Sequence, residues 1–240
     1  MPASQSAAEI RPETGLLVLG VDTCGPSGSV ALARLEGGRA RILGQTELAG
    51  RSYSATLVAA VGELLARHGL KLADVGVIVV VNGPGSFTGV RVGLSAVKGL
   101  AEPEQIPVVA VSRLAVLAAK VGASSAALDA HRHEVFLRLL GPDGSVRDLL
   151  AGSEELAALH LRPAKVAVSD DEAAALIKSA WSGTELVRCG APTASDAIQL
   201  CVAEIVGRKF ADLALLDGHY LRRSDAEIFG DPMTAKARHV

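Results

Sequence analysis

Residues 16–21 form an unbroken apolar run that stops at Asp22-Thr23-Cys24-Gly25, the pattern of a buried strand entering a polar turn. Residues 28–34 and 39–48 follow as two β-prone stretches joined by Glu36-Gly37-Gly38, a hairpin signal. Three antiparallel strands are therefore predicted to open the chain. The period then changes. Over 53–68, Leu57, Val61, Leu64, Leu65 and His68 share one helical face, while Ala55, Ala59, Gly62 and Ala66 line another with small side chains. Gly69 predicts the end of that helix. Residues 75–81 are almost wholly β-branched, as expected of a strand covered on both faces. A helix over 90–101 is predicted next, limited by Pro103. A strand at 108–111 and a helix from an N-cap at Ser112 to Gly122 complete this half.

A second group repeats the alternation. Strands are predicted at 126–129, 134–140 and 145–150, with a turn at Gly141-Pro142-Asp143-Gly144. A helical stretch from Glu154, a strand at 165–168 and a helix at 171–179 follow. The last helix is expected over 195–210, capped by Thr193 or Ser195. No internal sequence repeat is evident. This order predicts an α/β protein of two lobes, each with a mixed sheet flanked by helices.

Composition narrows the function classes. Half the chain (49%) is apolar, but only four Phe, two Tyr and one Trp are present, so the core is expected to be Ala, Val and Leu packed over sheet. The formal charge is −2, without a basic stripe. Phosphate neutralisation supplies most nucleic-acid affinity, so any service to RNA is expected to run through a partner. Three widely spaced cysteines, Cys24, Cys189 and Cys201, suit reduced thiols in the cytoplasm and fit neither a zinc site nor a disulfide frame. Residues 1–14 lack the apolar core of a signal peptide, and no stretch approaches the ~20 apolar residues that cross a membrane. A soluble, cytoplasmic protein is expected.

The glycine-rich segment Gly83-Pro84-Gly85-Ser86-Phe87-Thr88-Gly89 fails the common catalytic templates. No Lys follows its last Gly as a P-loop requires. The third Gly is one residue late for GxGxxG. Pro84 and Thr88 stand where a nucleophile elbow around Ser86 needs glycine. Physically it reads as a tight strand-to-helix turn, with Ser86 or Thr88 as cap and free N–H groups able to hold an anion. Gly89 and Gly93, four apart on the helix, would let another helix approach, or would serve only packing on their own sheet.

The run VNGPGSFTGVRVGLSAVKGLA at 81–101 resembles the signature of the TsaB family. The order around it is similar too. It comprises Gly-Val-Asp-Thr at 20–23, Ser-Val-Ala at 29–31, Ile106-Pro107-Val108, Val111-Ser112-Arg113-Leu114, Ala127-Leu128-Asp129-Ala130, Glu134-Val135, and Tyr220-Leu221-Arg222-Arg223-Ser224-Asp225-Ala226-Glu227. The resemblance implies two ribonuclease-H-like lobes of the actin-like, sugar-kinase-like ATPase superfamily. Expected boundaries are a tail at 1–14, a first lobe at 15–106 plus about 211–229, a second lobe at 107–210, and a tail at 230–240. It also implies a non-catalytic subunit pairing with TsaD, which modifies the adenosine beside the tRNA anticodon, with TsaE joining and TsaC supplying the activated threonylcarbamoyl group. tRNA is then met only through the complex, and a homodimer is expected when TsaD is absent. The expected partner surface is Ala55, Ala59, Gly62 and Ala66 on one helix with Gly89, Gly93, Ala96 and Val97 on the next.

Two further constellations carry potential ligands. His131 and His133 could share a strand face, but a metal needs three or four convergent ligands, so no metal and no cofactor are expected. None of the six histidines forms an HxxxH pair. Asp22-Thr23 reads either as a strand-terminal turn or as the remnant of a nucleotide cleft, which leaves nucleotide binding open. The alternatives are a nucleotide-hydrolysing or small-molecule kinase member of the same superfamily and, behind it, a peptidase.

Overall fold

The structure, a computed structural model, describes residues 15–222. The expected tails at 1–14 and 230–240, the part of the first lobe placed at 223–229, and Arg223 to Glu227 lie outside the described residues.

Strand β1 (Leu16–Asp22) pairs antiparallel with β2 (Ser27–Glu36), which pairs antiparallel with β3 (Arg39–Ala49). Gly37 and Gly38, both at positive φ (55° and 73°), make the tight turn between β2 and β3 that the sequence predicts. Helix α1 (Tyr53–Arg67) buries Leu57, Val61, Leu64 and Leu65 and ends before Gly69, whose φ of 68° closes the helix. Strand β4 (Val77–Val81) is buried at every position and runs parallel to β1. Helix α2 (Phe87–Glu104) starts three residues earlier than expected, because Ser86 caps it by accepting the Gly89 N–H. Pro103 is accommodated in its last turn, and Gln105, left-handed at φ 52°, stops it.

Strand β5 (Val108–Val111) closes the first sheet in the order β3-β2-β1-β4-β5. After α3 (Arg113–Lys120), the strands β6 (Ala126–Asp129), β7 (Glu134–Leu140) and β8 (Val146–Gly152) form an antiparallel meander. Helix α4 (Ser153–Ala158), β9 (Lys165–Val168), α5 (Asp171–Ala180) and β10 (Glu185–Arg188) follow, with β9 parallel to both β6 and β10. The second sheet is therefore β8-β7-β6-β9-β10, the same order and the same strand directions as the first. A structural duplication stands where the sequence shows no repeat. Strand β10 is absent from the sequence-based expectation, because its four residues are charged at both ends and none is fully buried.

The last helices correct the expected lobe boundaries. Strand β5 belongs to the first sheet, against the expectation that 107–210 form the second lobe. Helix α6 (Ala194–Leu200) lies against β1, β2, β3 and β4 of the first sheet, whereas α3, which leaves the first sheet, packs on β6, β7 and β9 of the second. Each lobe thus receives its final helix from the far end of the other. Gly20 in β1 makes room for α6: a Cβ there would stand 2.8 Å from the Ala194 carbonyl oxygen. The single helix expected over 195–210 is two, α6 and α7 (Val202–Val206), meeting at Cys201 and ended by Gly207 and left-handed Arg208. Thr193 is the cap, in a reciprocal box with Asp196.

Candidate functional site: an inter-lobe cleft and the outer helix face

The turns at the ends of β1 and β6 face one cleft of about 1540 Å³ between the lobes. On the first-lobe side, Asp22 ends β1 and its Oδ1 accepts the Cys24 N–H at 2.8 Å. Asp129 ends β6 and makes the same turn, with Oδ1 accepting the His131 N–H at 2.8 Å. The duplication therefore extends to the two strand-end aspartates. The second turn, His131-Arg132-His133, carries three successive left-handed residues (φ 59°, 57° and 60°), an arrangement costly for side-chain-bearing residues. His131 lies 84% exposed beside Asp129, Nδ1 to Oδ2 2.8 Å. Among the described residues, no cluster of three His, Cys, Asp or Glu groups converges as a metal site.

Asp22 is not open to the cleft. It is 1% exposed, and Arg113 at the start of α3 stands against it, Nε to Oδ2 3.7 Å. Burial pushes the Asp22 carboxyl above its ordinary value near 3.8, and the Arg113 charge draws it part of the way back. Cys24 is buried beside the pair, its Sγ donating to the Val81 carbonyl at 3.2 Å, and burial raises its thiol well above 9.0. Tyr53 reaches under the turn to donate to the Gly25 carbonyl at 2.8 Å, and burial pushes its hydroxyl up to about 12. Thr23 donates to the Gly89 carbonyl at 2.7 Å.

The glycine-rich turn is built for close backbone approach. Its Gly83–Pro84 peptide is cis, and Gly83 has φ 113°. A Cβ at Gly85 would overlap the Cys24 carbonyl, one at Gly89 the Thr23 carbonyl, and one at Gly93 the Thr23 hydroxyl. These glycines let α2 lie against the β1–β2 turn. Ser86 is spent as the helix cap.

Beyond the cleft, the outer face of α1 is open. Ala55, Val58, Ala59, Gly62 and Ala66 are exposed, Val58 at 56%. A Cβ added at Gly62, or at Gly99 on the neighbouring α2, would meet nothing within 4 Å.

A profile for "TsaD: tRNA N6-adenosine threonylcarbamoyltransferase" matches residues 43–154. The chain is 36% identical over 127 residues to the tRNA threonylcarbamoyladenosine biosynthesis protein TsaB of Haemophilus influenzae, covering 50% of this chain and 52% of that one. It is 34% identical over 125 residues to the Escherichia coli protein of the same name, again covering 50% and 52%. The chain thus spans about half the length of the curated relatives it matches. Among solved structures, YeaZ from Pseudomonas aeruginosa superposes with a TM-score of 0.66 at 27% identity, over 86% of this chain and all (100%) of that one. A structure described as similar to peptidase YeaZ, from the same organism, gives 0.68 at 28% identity over the same shares. The chain is similar to TsaB proteins over about half its length.

In this chain the eight residues expected to form one partner surface separate into two groups. Ala55, Ala59, Gly62 and Ala66 lie on the open face of α1. Gly89, Gly93 and Val97 instead turn inward, and Ala96 is half-buried. This corrects the expectation for α2: its four-residue glycine spacing answers to Thr23, not to a partner. Asp22 and Thr23 do not themselves line the cleft; they lie buried just before Cys24, which does, and bond within the first lobe. Arg113, which faces Asp22, is absent from the expected site residues. Its signal was present, a charge at the head of VSRLAVLAA, where the flanking apolar positions predict a buried helix.

Proposed function

We propose that the chain serves tRNA threonylcarbamoyladenosine biosynthesis as a non-catalytic subunit, docking onto a TsaD-type threonylcarbamoyltransferase through the outer face of α1 and the exposed flank of α2. The observation that carries this is Gly62. A mid-helix glycine costs roughly 1 kcal/mol against alanine. Nothing among the described residues repays it, since a Cβ there meets none of their atoms within 4 Å. Glycine among exposed alanines is what a second helix backbone at close range requires. The same face would seat a second copy when the transferase is absent. A TsaE-type ATPase and tRNA would be met through the assembly, in the cytoplasm.

The cleft chemistry supports the non-catalytic half of the proposal. A superfamily ATPase needs its first-strand aspartate free to hold a metal-bound phosphate, and here that carboxylate is buried against an arginine. A serine peptidase needs an activated hydroxyl, and Ser86 Oγ is held as a helix cap.

The test is co-elution with a TsaD-type enzyme from the same organism, paired with reconstituted tRNA modification. Gly62→Leu and Ala59→Glu are expected to weaken association by roughly ten- to a hundredfold through overlap of about 1–3 kcal/mol. Gly62→Ala should weaken it in the same direction but by less, since one methyl overlaps less than a leucine side chain. Unchanged affinity for Gly62→Leu refutes the surface. Robust ATP turnover by the isolated chain, lost with Asp22→Asn, would replace the proposal with the hydrolase alternative.

A further inference from the structure

We propose that residues 216–222 form a releasable strap that sets the width of the inter-lobe cleft. Among the described residues this segment is the third crossing between the lobes, after α3 and α6. It is rooted in the first lobe, where Leu216 is buried in the core. The Asn82 side-chain amide donates to the Asp217 carbonyl at 3.3 Å, and the His219 N–H donates to the Asn82 carbonyl at 2.7 Å. Gly83 makes room for this passage, since a Cβ there would stand 2.9 Å from the His219 carbonyl oxygen. The first glycine of the glycine-rich turn therefore answers to the strap.

Three side chains then reach the second lobe. His219 Nε2 lies 3.3 Å from Asp148 Oδ2 on β8. Leu221 packs against the cluster that holds Leu128, Ala130 and Phe136. Arg222 pairs with Glu134 at the start of β7, and its Nη2 also donates to the His131 carbonyl at 3.5 Å. Asp148 is a junction between the lobes, because Ser112, which follows β5, donates to the same carboxylate at 2.8 Å. Tyr220 stays at the cleft rim, its ring centroid 5.1 Å from that of Phe87 at the start of α2.

The two ends of the strap differ in strength. The first-lobe end is a buried leucine with main-chain hydrogen bonds. At the other end no strap side chain is fully buried: Leu221 and Arg222 are half-buried, and the Arg222–Glu134 pair keeps 25% and 32% of its side-chain surface exposed. Partly exposed ion pairs are weak and are screened by salt. The second-lobe end is thus the part that opens first, well short of unfolding either lobe. Once it is open, the described chain joins the lobes through α3 and α6, which pack on each other and carry the Lys120–Asp196 pair at 2.7 Å. That helix pair is the hinge about which the cleft widens. The strap is independent of the α1 docking face and stands or falls separately from it.

Double electron–electron resonance on the full chain reads the cleft width. Spin labels go on Ser27→Cys and Glu172→Cys, exposed residues of the first-lobe and second-lobe walls, in a Cys189→Ser background. The otherwise unchanged strap should give one narrow distance distribution. Arg222→Glu, which sets a like charge against Glu134, should enlarge the longer-distance population by about threefold or more. The exchanged pair Arg222→Glu/Glu134→Arg should return the distribution toward the starting one. Sodium chloride at about 1 M should widen the unexchanged protein in the same sense, because it screens the pair. A distribution unmoved by Arg222→Glu, or one that the exchanged pair leaves as wide as Arg222→Glu alone, overturns the proposal. If Arg222→Glu does not fold, Arg222→Gln and the salt series decide the matter, and no widening in either refutes the strap.

Discussion

Glycines of α1 and α2 that look alike in the sequence should respond in opposite ways to the same substitution. At Gly62 an added methyl touches nothing within 4 Å, so Gly62→Ala changes only helix propensity and unfolded-state entropy. That is worth roughly 0.8–1 kcal/mol of stabilisation, or about 2–4 °C in Tm for a chain of this size. At Gly93 the same methyl overlaps the Thr23 hydroxyl, which is held by its bond to the Gly89 carbonyl at 2.7 Å. Thr23 is 1% exposed and ends the turn beneath α2, so neither partner can retreat freely. Overpacking of about 1–3 kcal/mol plus a lost hydrogen bond of about 1 kcal/mol should offset the propensity gain. Gly93→Ala is then destabilised by roughly 1–3 kcal/mol net. Urea unfolding of the three proteins, with m-values compared to confirm a common transition, measures both signs. Stabilisation of both variants would refute the inward placement of α2, and destabilisation of both would refute the open face of α1.

Two further outcomes follow from the buried polar groups. Burial pushes the Asp148 carboxyl up, but the His219 imidazole 3.3 Å away, the hydrogen bond from Ser112 and the charge of Arg138 outweigh it and hold the group below its usual 3.8. A depressed folded value means that its stabilisation is present above about pH 4 and is lost as pH falls through the folded value. Asp148→Asn should therefore cost about 1–3 kcal/mol at pH 7 in urea titrations, a difference that shrinks toward pH 3. A pH-independent difference would contradict the ion-paired assignment. Among the cysteines, Cys24 and Cys201 are buried, with thiols raised by burial, Cys201 to about 12. Burial raises the Cys189 thiol as well, but that residue is only half-buried, so native protein at pH 8 should react with a thiol reagent first at Cys189, and equal labelling of all three would show an opened first lobe.

The chain's local patterns determined most of its elements. The apolar runs of β1 and β4, the Gly37-Gly38 turn and the face of α1 each follow from side-chain periodicity or a backbone preference that neighbouring residues enforce. The open face of α1 was legible for the same reason, because Ala55, Ala59, Gly62 and Ala66 recur at helical spacing opposite the leucines. Tertiary structure decided what those patterns could not encode. Glycines at 89 and 93 carry no label saying which body approaches them, and only the fold places Thr23 there. The exchange of α3 and α6 between lobes sets partners far apart along the chain, and so does the meeting of Arg113 with Asp22. Such contacts arise from joining two duplicated sheets through exchanged helices, a global fit to which no short window of sequence is sensitive.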